Sequence, residues 1–368
     1  MATPHINVVD FFSGCGGTSC GFQNAGMNVL LGLDHDSDSG DTFRLNFPSA
    51  SFLKADLQTL PVENLFDSKV RPLDGYLLFS GCAPCQPFTK QRTDRRGNDE
   101  RRTLLSTFEK FIAHWLPDLV FVENVPGLQK VDRKPGPFAG FLKMLKKLGY
   151  FTDYAVVRAS DYGVPQRRER LVLMASRIGS VALPRPSHGL DGKKLAVVRD
   201  WISALPPLSA GETDANDPDH RAAALSDLNL ARIRATTEGG GRENWPESLL
   251  LNCHRGHVGH SDVYGRLSWT KPASALTTRC VSYSNGRFGH PEQDRAISLR
   301  EAACLQTFPR TWQFSGSLES RARQVGNAVP PLMAEAIGRE FVRHVSMHDE
   351  QTTFKDLKCE SLFRHYGS

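Results

Sequence analysis

The sequence predicts an α/β protein: a doubly wound, mostly parallel sheet with a second, smaller, loop-rich domain. Three observations carry this. Short β-type runs alternate with helical patterns through the first half, INVVDFF leads straight into a glycine-rich turn, and the alternation stops after Arg177, where prolines and glycines break every period. With 368 residues, 40% hydrophobic and 23% charged, the chain has apolar mass for two cores and is neither disordered nor fibrous. No apolar run approaches the roughly 18 to 20 residues of a spanning helix, and Met1 to Asp10 lacks a signal peptide's basic start and apolar stretch. The expectation is a cytoplasmic protein, nuclear if eukaryotic, with no membrane contact.

Strands are expected at Ile6 to Phe12, Val29 to Leu33, Ser51 to Lys54, Tyr76 to Phe79 and Leu119 to Val122, with helices near Thr103 to Trp115 and Phe138 to Leu148. Apolar runs separated by helices mean crossover connections and parallel strands covered on both faces. Tyr154 to Arg158 and Leu171 to Ala175 extend the sheet, which places a first domain at 1–177. From 178 to 273, Pro184, Pro186, Pro206, Pro207, Pro218 and Gly239-Gly240-Gly241 mark the loop-rich domain. Near the end, Pro330-Pro331 opens a helix with proline in its first turn.

A net charge of +5 and a pI near 8.8 lean mildly toward a polyanionic partner. Residues 178 to 273 are neutral, eleven Lys and Arg against eleven Asp and Glu. The densest basic stretch is Lys90, Arg92, Arg95, Arg96, Arg101 and Arg102, interrupted by three acids; alone, it reads as a solvated loop. Eight cysteines without disulfide-framework spacing are expected as thiols, so a special one is catalytic or metal-bound.

The first strand runs into Ser13-Gly14-Cys15-Gly16-Gly17-Thr18, a turn that holds a nucleotide-like ligand at a strand's carboxyl edge. Gly14 and Gly16 fit G-x-G, but Ser19 stands where a dinucleotide fingerprint needs its third glycine, and no G-K-[ST] follows. A ligand without phosphates fits better. Asp34, after the second strand, is placed to accept hydrogen bonds from ribose hydroxyls, and Asp56 is similarly placed after Ser51 to Lys54, which suits an adenosyl ligand; a tight packing turn is the plain alternative.

The strand Tyr76 to Phe79 leads to Ser80-Gly81-Cys82-Ala83-Pro84-Cys85-Gln86-Pro87-Phe88. Cys82 and Cys85 read as a redox pair, half of a zinc site, or one nucleophile with a bystander. Zinc lacks a second C-x-x-C, since Cys253, His254, His257 and His260 lie in loop sequence, so no metal is expected. The next strand ends in Glu123-Asn124-Val125, and convergence of strand ends in such a sheet aims Asp10, Asp34, Cys85 and Glu123 at one volume. In Gln166-Arg167-Arg168-Glu169-Arg170, strand alternation places Gln166, Arg168 and Arg170 on one face.

Six segments in this order, DFFSGCGG (10–17), GCAPCQPF (81–88), ENV (123–125), QRRER (166–170), LREAACLQTFP (299–309) and RQVGNAVPP (323–331), make the chain resemble the cytosine-C5 DNA methyltransferase family, unpermuted, over all but about 180–250. The resemblance implies a class I S-adenosylmethionine-dependent, Rossmann-like fold. It makes 1–177 the catalytic and cofactor-binding domain, 178–273 the target-recognition domain, 274–345 a return segment completing the catalytic domain, and 346–368 a C-terminal tail. S-adenosylmethionine is then the cofactor, touched by Phe11, Gly14, Gly16, Asp34, Asp56, Pro84 and Asn327.

Cys85 becomes the nucleophile: its thiolate adds to C6 of cytosine so that C5, a poor nucleophile otherwise, attacks the sulfonium methyl. Glu123 would neutralise the ring at N3, while Arg168 or Arg170 would hold the oxygen at position 2. Gln86, Asn124, Gln166, Lys90, Arg92, Arg95 and Arg96 are the implied substrate contacts, the basic ones meeting phosphates from a mobile loop. The expected partner is double-stranded DNA with its target base flipped out, a monomer is expected, and any cognate restriction endonuclease would act separately. The family's tRNA-methylating branch usually has Cys-Phe-Thr where this chain has Cys280-Val281-Ser282, which favours DNA. A catalytically idle DNA-binding protein would have lost the nucleophile, and a nicotinamide oxidoreductase lacks its third glycine.

Overall fold

In the computed structural model, which describes residues 4–66, 71, 74–83, 100–127, 136–251 and 262–365, the apolar runs become one seven-stranded sheet. Its first five strands are β1 (Ile6–Phe11), β2 (Asn28–Asp34), β3 (Ser51–Lys54), β4 (Tyr76–Gly81) and β5 (Leu119–Asn124). They are followed by β6 (Phe151–Arg158), the two-residue β7 (Gln166–Arg167) and β8 (Glu169–Ser176). The order is β3-β2-β1-β4-β5-β8-β6. The pairs from β3 to β5 are parallel, as expected, and β8 runs antiparallel to both of its neighbours. β7 lies apart, parallel to β9 (Ala273–Ser274).

Helices cover both faces of the sheet's centre. On one side α3 (Glu100–Trp115) and α4 (Pro137–Lys147) bring Phe108, Phe111, Ile112, Phe138 and Phe141 onto Val9, Phe79, Val120, Val122 and Leu173. On the other side α1 (Gly17–Asn24) and the long α9 (Pro331–His365) bring Phe22, Met333, Ile337, Phe341 and Val345 onto Ile6, Val8, Leu78, Phe121 and Met174. Such two-sided burial is why these strands read as nearly continuous apolar runs. Cover fails at β6, an edge strand on which Phe151, Tyr154 and Val156 are exposed.

Two glycines let α1 and α9 meet at backbone distance. A Cβ on Gly17 would lie 2.4 Å from Val329 O, and one on Gly21 2.4 Å from Pro331 O. Pro331 is the first residue of α9, where a missing N–H costs nothing. The helix does not stop at the expected tail boundary of 346; it runs to His365, with Tyr76 Oη donating to Asp349.

The remaining helices are α2 (Ser37–Asn46), α5 (Val198–Ile202), α6 (Asp227–Arg234), α7 (Leu299–Leu305) and α8 (Leu318–Asn327). One apolar cluster joins Phe43 of α2, Phe47 just after it, Val198 and Ile202 of α5, and Leu299, Leu305, Phe308 and Val325. A smaller one joins Ile233, Trp245, Tyr283 and Ala296, so packing crosses both of the boundaries expected at 178 and 273. With little regular structure here, two buried arginines take up loop carbonyls. Arg266 donates to those of Ile233, Thr236, His290 and Gln293. Arg295 donates to that of Leu208 and to both oxygens of Glu301. No described helix is long and apolar enough to cross a membrane.

Candidate active site

Parallel register brings the strand ends level. Phe11 pairs with Leu33 on one side and Gly81 on the other, and Gly81 pairs with Val122. Beyond β1 the chain turns sharply: Phe12, Gly14 and Gly16 all have positive φ, at 57°, 53° and 88°. Ser13 N donates to Leu33 O at 3.0 Å and Gly14 N to Asp34 Oδ2 at 2.9 Å, while Asp34 Oδ1 accepts from Asp36 N at 3.0 Å. Asp34 therefore first ties the glycine turn to the end of β2, and its partly exposed oxygens keep spare lone pairs.

The fit of an adenosyl ligand rests on what this turn leaves open. A Cβ on Gly14 would meet nothing within 4 Å. Ser13 Oγ is buried without a hydrogen-bond partner, and the N-terminus of α1 has no side-chain cap. Orphaned donors beside an open turn suit a polar ligand. Asp56 is exposed, with Oδ1 accepting from Gln58 N, and Asn327 is exposed at the end of α8.

Two expected positions are corrected. Phe11 is fully buried among Phe79, Phe108 and Phe111, with ring centroids 4.9 to 5.4 Å away, and is a core residue. The residue that reaches the strand edge is Phe12, partly exposed and held left-handed, a strained backbone for a phenylalanine. Sequence reasoning missed it by one position, because INVVDFF does not show that the strand ends at Phe11. Asp10 also faces inward: it is fully buried, accepting from Ser19 Oγ at 2.7 Å and Ser80 Oγ at 2.8 Å. Burial pushes its pKa up to about 6, against the pull of those two hydroxyls.

At the end of β4, Cys82 lies against Glu123 and Thr18, with Thr18 Oγ1 at 3.5 Å. Burial first, then the charges of Glu123 and Asp10, push its thiol pKa well above the ordinary range. A thiol so placed is held in its protonated form. Cys85, with Pro84, Gln86, Lys90, Arg92, Arg95 and Arg96, lies outside the described residues, as do Cys253, His254, His257 and His260.

Glu123, next to the last residue of β5, is nearly buried, its Oε1 2.8 Å from Arg170 Nε. The approach is off the N–H axis, so Oε1 makes an ion pair without a hydrogen bond. Asn124, expected to touch substrate, instead serves the backbone: Nδ2 donates to Ala83 O at 3.2 Å and Oδ1 accepts from Val125 N at 2.8 Å. That clamp joins the exit of β5 to the exit of β4, two residues before Cys85.

The alternation in QRRER holds, with Gln166 and Arg168 buried, Arg170 half-buried, and Arg167 and Glu169 exposed. Burial changes the roles. Gln166 donates to Gln306 Oε1 at 2.6 Å and accepts from Leu276 N at 2.9 Å, so both ends of its amide are engaged and it is a staple rather than a substrate contact. Arg168 is 2% exposed, and its Nη1 donates to Leu276 O and Gly326 O. It cannot reach a base in this arrangement. Arg170, beside Glu123, is the arginine that remains at the site.

Strand order, the lone antiparallel strand and the open glycine turn define an α/β methyltransferase fold. A putative DNA modification methyltransferase from an E. coli prophage superposes with a TM-score of 0.72 at 21% identity, covering 93% of this chain and 99% of that one. Spodoptera frugiperda DNMT2 superposes at 0.58 with 16% identity, covering 92% and 99%. The C-5 cytosine-specific DNA methylase model matches residues 6–343. Type II methylase M.HgiDII of Herpetosiphon aurantiacus is 38% identical over 351 residues, 94% of this chain and 97% of the relative. Type II methyltransferase M1.HphI of Haemophilus parahaemolyticus is 34% identical over 342 residues, 92% and 87%. The chain belongs to the C-5 cytosine-specific DNA methylase family.

Proposed function

We propose that the protein transfers a methyl group from S-adenosylmethionine to C5 of a cytosine flipped out of a specific duplex DNA sequence, through a covalent adduct between Cys85 and C6. The observation that carries this reading is the Glu123–Arg170 pair, set beside the entry to the Cys85 segment in a chain of this family. When bound, S-adenosylmethionine supplies an electrophilic methyl on a sulfonium. Gly14, Gly16, Ser13, Asp34, Asp56 and Asn327 line the turn that would hold it, with Phe12 at the edge.

The Cys85 thiolate adds to C6, and the electron pair of the C5–C6 double bond becomes available at C5 to take the methyl. Glu123 shares a proton with N3, relieving the negative charge that addition places on the ring. Arg170 keeps Glu123 oriented and offers guanidinium donors to the oxygen at position 2. Loss of the proton from C5 to a base then expels the thiolate and restores the ring. Residues 1–177 with 274–345 form the catalytic unit, and 178–273 read the DNA, whose sequence sets which cytosine is presented. Double-stranded DNA is the partner, and a cognate endonuclease would act separately on the same site.

Cys85→Ala tests the assignment. It should abolish methyl transfer while binding of S-adenosylhomocysteine, measured by calorimetry, stays within about twofold. Retained turnover would overturn the nucleophile.

A further inference from the structure

Arg168 sits where three segments distant in sequence meet. One Nη1 donates both to Leu276 O at 3.2 Å and to Gly326 O at 3.1 Å. Leu276 leads into Thr277-Thr278-Arg279, of which Thr277 and Arg279 are exposed. Gly326 precedes Asn327 at the end of α8. The two backbones are in direct apposition, since a Cβ on Gly326 would lie 2.1 Å from Thr277 O.

The guanidinium is nearly buried, and its Nε has no hydrogen-bond partner. Burial, with Arg170 adding to it, pulls its pKa down to about 9, and Glu123 only partly offsets this. Holding a charge in such a place is unfavourable unless it ties together groups that a smaller side chain could not. The same side chain leaves QRRER next to Gln166, which binds Leu276 from its other end. The segment 274–279 is therefore held by Arg168 on its carbonyl side and Gln166 on its amide side, and of these two side chains Arg168 is the one that also bonds to α8, where Thr277 and Gly326 are already in backbone contact.

We infer that Arg168 is a positioning residue that couples the cofactor site to the segment 276–279, whose exposed Thr277 and Arg279 would meet DNA in the reading above. A ligand that orders the end of α8 fixes Gly326 O, and through the shared Nη1 it fixes Leu276 O and the three residues that follow. Coupling of this kind is reciprocal, so DNA that orders 276–279 strengthens cofactor binding by the same factor. The inference rests on the adenosyl-cofactor reading above.

Hydrogen exchange on the full-length chain, with and without S-adenosylhomocysteine, tests it. In the wild type, bound ligand should slow exchange at least fivefold both in peptides covering 322–330 and in those covering 274–282. In Arg168→Met the first effect should persist and the second should vanish, and Arg168→Lys, which retains donors and charge, should restore part of it. The Lys variant alone carries the comparison if the Met variant does not fold, with protection at 274–282 reduced relative to 322–330. Equal protection of both segments in the variants, or a wild type protected at 322–330 alone, overturns the coupling and leaves the cofactor reading intact. A wild type that shows no calorimetric binding of S-adenosylhomocysteine overturns both.

Discussion

The chemistry of single residues here is set by what surrounds each polar group. Asp10 and Glu123 are both carboxyls near the ends of parallel strands, yet Asp10 is sealed between Ser19 and Ser80 while Glu123 keeps an oxygen free of hydrogen bonds. Asp10 has a folded-state pKa raised from 3.8 to about 6, so its favourable contribution to stability is fully present below about pH 3.8 and is lost as pH rises through 6. At 1.36 kcal/mol per pKa unit the loss is about 3 kcal/mol. Asp10→Asn should therefore flatten thermal stability between pH 4 and 6.5, with the wild type falling relative to the variant across that window; calorimetric melts at four pH values check this. At the proposed catalytic pair, Glu123→Gln should lower kcat by about 10²- to 10⁴-fold. Arg170→Ala should lower it by about 10²- to 10³-fold, and in both variants binding of S-adenosylhomocysteine should change little. Steady-state kinetics with calorimetry separates these effects.

Elements divide by how much of their environment is written locally. β1, β2, β4 and β5 are legible because burial on both faces demands unbroken apolar runs, and Pro331 announces α9 because proline suits a first turn. Strand direction is not in periodicity, so the antiparallel insertion of β8 between β5 and β6 could not be read. Where α9 ends could not be read, because none of residues 346–352 is buried, although the helix continues. Gln166, Asn124 and Arg168 stood out as polar motif residues, but whether such a side chain meets substrate or backbone depends on carbonyls contributed from as far as 158 residues away. Gly21 went unremarked as a packing residue, and Gly17 was legible only as part of a tight turn, since a helical glycine shows its purpose only against its partner helix. Gly21→Val would push a side chain into Pro331 O and Ala334, an overpacking that costs about 1–3 kcal/mol. A melting temperature lower by several degrees, with Gly140→Ala on the open face of α4 as the harmless control, is the expected outcome.

At the scale of the whole molecule, sequence order and spatial order part company. The last helices return to the first domain: α9 covers the sheet, and α8 ends at Asn327 beside the turn after β1, with Cys15 Sγ reaching Gln324 O at 3.6 Å. Residues 178–273 are tied to this unit by a shared apolar cluster and by ion pairs, among them Arg300 with Asp217 and Arg321 with Asp219. If 178–273 read the DNA as proposed, the neutrality of that segment implies that most phosphate contacts come from the rest of the chain, which carries the net positive charge. On the proposed function, the methyl acceptor is cytosine in DNA. Incubation of the purified chain with methyl-tritiated S-adenosylmethionine and, separately, mixed-sequence duplex DNA and bulk tRNA, with Cys85→Ala alongside, tests it most directly. Label should appear in DNA as 5-methylcytosine and be absent with the variant; label in tRNA alone, or in neither acid, would overturn that assignment.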